Sequence, residues 1–65
     1  MRQRDQVSAG FADRALACAD HPPGPGRVQA CEALLARAQS NGSFAEEFVA
    51  REHLAEALSD LPDDA

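Results

Sequence analysis

Apolar positions recur at helical spacing in three segments of this chain, and turn-forming residues separate them. In the first, roughly residues 6–20, Val7, Phe11 and Cys18 fall within about 40° of one another on a helical wheel, with Ala15 at the edge of the stripe. Leu16 lies opposite, with Ala9 and Ala12, so this helix has apolar residues on two sides. Asp5 stands where an N-cap would accept from free backbone N–H groups. His21-Pro22-Pro23-Gly24-Pro25-Gly26 then ends the segment, because proline lacks an amide hydrogen and pushes the preceding residue out of the helical region. So short and stiff a connection predicts a helical hairpin.

The second segment spans roughly residues 27–40. Val28, Cys31, Leu34, Leu35 and Ala38 occupy one arc of about 120°, and the remaining arc is mostly polar or small. Asn41-Gly42, able to take up the left-handed conformation, predicts its end. The third segment spans roughly residues 44–60 and opens on a capping box, Ser43-Phe44-Ala45-Glu46. Phe44, Phe48, Ala50, Leu54, Ala55, Ala57, Leu58 and Leu61 fill half of its wheel. Glu47 and Arg51 interrupt that half but stand four apart, where they can pair. Leu16 and Val49 lie off the main stripes of their helices and are expected at the surface.

The fold class is therefore all-α: three short helices, a helical hairpin plus a third helix. Residues 6–61 form a single domain, between an N-terminal tail, 1–5, and an acidic C-terminal tail, 62–65. Composition adds a constraint. The chain has 65 residues and is 45% hydrophobic, but alanine supplies much of that fraction. So thin a core calls for a staple, a metal or a partner. The bundle is expected to be completed by dimerisation.

The net charge of −5 is unevenly spread. Residues 1–20 balance, whereas in residues 43–65 a single Arg51 stands against Glu46, Glu47, Glu52, Glu56, Asp60, Asp63 and Asp64. An acidic third helix repels phosphate backbones and anionic membranes, so neither nucleic acid nor membrane is the expected partner. No run approaches the ~20 apolar residues of a membrane span. The basic start, Met1-Arg2-Gln3-Arg4, has no apolar stretch behind it, so no signal peptide is read there and the cytoplasm is the expected location. Arg, Ala, Gly and Pro are plentiful while Lys and Ile are absent, which points to a GC-rich, bacterial genome.

The candidate chemistry is sparse. Cys18, His21 and Cys31 admit three readings. Both thiols sit at the centres of apolar stripes, so buried free cysteines are the first expectation. A disulfide is the second: in a hairpin turning at residues 22–26 both cysteines point inward, at a separation near the ~5.5 Å a bridge requires. A metal site is the third, since Cys18-x-x-His21 has ligand spacing, with Cys31 and His53 completing a set. His53 itself is placed on the polar face near Glu46, Glu56 and Asp60. No nucleophile with an adjacent base, and no glycine-rich phosphate loop, stands out, so neither enzyme activity nor a cofactor is expected.

Ala38, Gly42 and Phe48 have a spacing that resembles the bacterial DNA-binding helix-turn-helix, over about twenty residues. Arg37, Ser43 and Arg51 depart from its apolar positions, and the would-be reading helix is acidic. The leading expectation is a small cytoplasmic regulator, adaptor or accessory subunit, binding itself as a homodimer or a larger protein. Phe44, Phe48, Leu54, Leu58 and Leu61 would supply the contact. The alternatives are a metal-binding or thiol-redox module, using Cys18, His21 and Cys31, and a DNA-binding regulator.

Overall fold

The computed structural model describes residues 6–61, so the expected cap Asp5 and both expected tails lie outside the described residues. Three helices follow one another: α1, Ala9–Asp20; α2, Pro25–Asn41; and α3, Phe44–Ser59. Among the described residues there is no strand. Helix α1 starts three residues later than the periodicity predicts. Ser8 is its N-cap, with Oγ accepting from the Phe11 N–H at 3.2 Å, which leaves Val7 ahead of the helix. Helix α2 starts two residues earlier than predicted, at Pro25. Proline suits a first helical position, where its missing N–H would have had no partner. Gly24 enters that helix at φ 145°, a conformation open to glycine because it has no Cβ.

Gly42 ends α2 in the left-handed conformation, at φ 69°, and its N–H donates to the carbonyls of Ala38 and Gln39. Ser43 caps α3 as predicted, Oγ accepting from the Glu46 N–H at 3.1 Å. Asp60 closes that helix one residue earlier than expected, its N–H donating to Glu56 O.

The helices run up, down and up. Helix α3 packs most extensively on α2 and also touches α1. The core is built from Phe11, Ala15 and Cys18 of α1, Cys31, Leu34 and Ala38 of α2, and Ala50 and Ala57 of α3. Val28, Leu35, Val49 and Leu54 are half-buried against it. Val49 thus packs inward rather than standing at the surface, because α3 turns its Ala50/Ala57 side to the hairpin.

Cys18 and Cys31 are joined in a disulfide with their Cα atoms 5.5 Å apart. Free core thiols, the first expectation, are therefore replaced by the bridge. The reason is the hairpin itself: its short turn sets the two cysteines level with each other on facing sides. Both remain in the core, as their stripes predicted, at 2% and 0% exposure.

Two charged side chains tie the ends of the three helices. The Glu46 carboxylate, at the start of α3, accepts from the backbone N–H of Ser8, the cap of α1, at 3.0 Å. It also accepts from Asn41 Nδ2, at the end of α2, at 2.8 Å. At the opposite end Arg27, in the first turn of α2, donates to the carbonyls of Ala19 (2.8 Å) and His21 (2.9 Å), where α1 finishes. The same guanidinium pairs with Asp60, the C-cap of α3, at 2.9 Å. Each side chain therefore joins groups from all three helices.

Two stability predictions result. Cys18→Ser/Cys31→Ser should lose roughly 3 kcal/mol in urea denaturation against the oxidised wild type, the chain-entropy value for a loop of this size. Glu46→Ala removes the hydrogen bonds that tie α3 to the Ser8 cap and to Asn41 and should lose about 1–3 kcal/mol in the same measurement.

Candidate protein-interaction surface

Helix α3 has two apolar faces of different character. The face against the hairpin carries small residues: Ala50 and Ala57 have no exposed surface, and Glu46 is 3% exposed. The face turned to solvent carries the large ones: Phe44 is 77% exposed, Phe48 64% and Leu58 51%. Ala55 and Arg51 are exposed between them. This follows from packing distance. Alanines let the axis of α3 come close to α2, and rings on that side would hold the helices apart. The half-wheel that the sequence presents as one apolar face is therefore split in space.

Among the residues predicted to supply a contact, Phe44, Phe48 and Leu58 stand together on the outer face. Leu54 turns toward the core and packs on it, and Leu61 is half-buried beyond the end of α3. The two that leave the surface lie at the edge of the stripe nearest the Ala50/Ala57 side. Arg51, within the outer face, is held by Glu47 at 2.7 Å, the four-residue pairing expected. Ala55 belongs to the same outer face; its spacing from Phe48 and Leu58 was the signal that marks it. Leu16 of α1 is exposed as predicted.

The surface is bordered by acid. Glu52 and Glu56 are exposed on α3. The face is thus an apolar strip with a compensated cation at its centre and carboxylates beside it. Such a strip suits a helix or groove of another protein: area comes from the rings, and the carboxylates favour basic surroundings.

The thiol and imidazole set does not assemble into a metal centre. Cysteine ligates zinc as the thiolate, and the sulfurs of Cys18 and Cys31 are bound to each other. His21 is exposed at the end of α1, in a shallow open depression lined by Ala17, Asp20 and Pro22. His53 is half-buried, not on the open polar face predicted for it. Among the described residues no group of three His, Cys, Asp or Glu side chains is placed to hold a metal. Nor is any described helix long and apolar enough to cross a membrane.

Compared with protein-family models, with curated proteins and with solved structures, this chain matches none.

The two faces of α3 should respond oppositely to substitution. Phe48→Ser, on the outer face, should change unfolding free energy by no more than about 0.5 kcal/mol. Ala50→Leu, which adds volume where α3 meets the hairpin, should destabilise by about 1–3 kcal/mol. Chemical denaturation of both variants measures the contrast.

Proposed function

We propose that this chain acts by binding protein, as a small regulator, adaptor or accessory subunit, and not by catalysis. The observation that carries the reading is the outer face of α3, where Phe44, Phe48 and Leu58 are more than half exposed in a chain with few large apolar residues to spend. A monomer gains nothing from leaving two phenylalanines in water while alanines fill its core. Association would bury them and enlarge a thin bundle, so the reading includes a homodimer, alone or in a complex with a larger protein. The carboxylates beside the strip steer a basic protein surface and speed encounter. The same carboxylates argue against duplex binding by α3, since Glu52 and Glu56 are exposed and Arg51 is engaged by Glu47.

Location is part of the proposal. The cytoplasm is the expectation from the sequence, but disulfides persist mainly in oxidising compartments. The Cys18–Cys31 bond supports such a compartment for the folded protein. Its burial supports a structural bond over a redox module, because an attacking thiolate cannot reach the sulfurs. Acid-quenched alkylation in the native host reads this directly: protection of both cysteines supports the oxidised form, and labelling of both returns the protein to a reducing compartment.

Phe48→Asp should abolish self-association or capture of a partner while leaving the helical circular dichroism unchanged. Glu52→Gln should alter binding only slightly, because a rim charge chiefly affects encounter rate. If Phe48→Asp leaves both oligomeric state and partner capture intact, the surface is wrongly assigned.

A further inference from the structure

The outer face of α3 has an internal order. Phe44, Phe48, Arg51, Ala55 and Leu58 are spaced four, three, four and three residues apart. This is the spacing that keeps one seam of a helix turned toward a partner helix. A straight helix drifts by only ~20° per heptad, so the seam stays on one face over the length of α3. Within its own chain α3 packs through a different side, Ala50 and Ala57, so the seam is a second packing surface. Its side chains run from bulky at Phe44 and Phe48, through the cation of Arg51, to small at Ala55.

That order is self-complementary when reversed. We infer that the seam is covered by α3 of a second copy running antiparallel, with Phe44 of each copy over Ala55 of the other and Phe48 of each over Arg51 of the other. The inference rests on the reading of α3 as a protein-binding surface. In this register the bulkiest positions meet the smallest, twice, as two-fold symmetry requires. Each guanidinium lies against a phenylalanine ring, a favourable cation–π arrangement, and its charge is balanced by Glu47 of its own helix at 2.7 Å. On the flanks Glu47 falls beside Leu54 of the other copy and Glu52 beside Ala45, so no carboxylates meet there, and the two Arg51 side chains lie in adjacent layers, each neutralised by its own Glu47.

The competing arrangements are poorer. A parallel pair sets Arg51 against Arg51, Ala55 against Ala55, and Glu47 beside Glu52 of the other copy, with like charges at the positions that decide pairing. An antiparallel pair shifted by one heptad brings the two Glu52 side chains together. A single polar residue within an apolar seam is a register-setting device, and Arg51 takes that place. Leu58 lies past the last paired layer, over the turn that precedes α3 of the second copy.

The test uses the intact, disulfide-bonded chain. A seam this short binds weakly, so sedimentation equilibrium from about 10 μM to about 1 mM should show a reversible monomer–dimer transition. In a mixture of isotope-labelled and unlabelled protein at the upper concentration, a nuclear Overhauser contact should join the Phe44 ring to the Ala55 methyl. Within one helix those groups are about 16 Å apart, so the contact must cross between copies. Ala55→Phe, at an exposed position, should weaken the dimer by about tenfold because it overfills the layer opposite Phe44. A chain monomeric throughout, or a dimer lacking the Phe44–Ala55 contact, overturns the inference. A monomer whose capture of another protein is lost in Phe48→Asp overturns the second copy alone and leaves the protein-binding reading standing. Phe48→Asp without effect on either removes both.

Discussion

The bond between Cys18 and Cys31 sets how the rest of this structure can be built. It holds α1 and α2 side by side within two turns of their connection, where the fully buried groups are mostly small. Phe11 and Leu34 are the large apolar side chains with almost no exposed surface; the remainder of the core is alanine and the bridge. Such a core has little volume to order three helices by itself. A cross-link lowers the entropy of the unfolded chain, so part of the stability comes from a constraint on the unfolded state instead of from packing.

With the hairpin fixed, α3 is held by close contact and by its ends. Alanines at 50 and 57 bring it near the hairpin. Glu46 then reaches the start of α1 and the end of α2, while Arg27 gathers the end of α1 and the end of α3. These charged groups accept and donate where helix termini leave backbone and amide groups without partners. The short connections at 21–24 and 42–43 set the direction of the helices, and the two side chains fasten the ends that this course brings together. Two side chains thus tie both ends of a bundle whose core is small.

The same geometry accounts for the surface. Close approach through alanine leaves the bulky residues of α3 on the side away from the core. The chain's apolar content is thereby divided between a small interior and an outward seam of Phe44, Phe48 and Leu58. Large apolar side chains that a larger core would take in thus remain on the surface of α3.

The sequence by itself determined the all-α class, the three helices to within three residues at their starts, the Ser43 and Gly42 caps, and the Glu47–Arg51 pair. These depend on periodicity and on local hydrogen bonding, which act over three or four residues. It also placed Cys18 and Cys31 inside and in reach of each other, but left the bridge beside two other readings, since spacing alone does not show whether two sulfurs meet. Tertiary structure decided the rest. Glu46 reads as one half of a capping box, and only the return of Ser8 and the position of Asn41 make it a tie between three helices. Arg27 reads as a solvated charge until the ends of α1 and α3 are brought to it. Phe48 and Ala50 read as neighbours on one apolar half-wheel. Which of them goes inside depends on how near α3 comes to the hairpin, a distance set by the other two helices and absent from α3 itself.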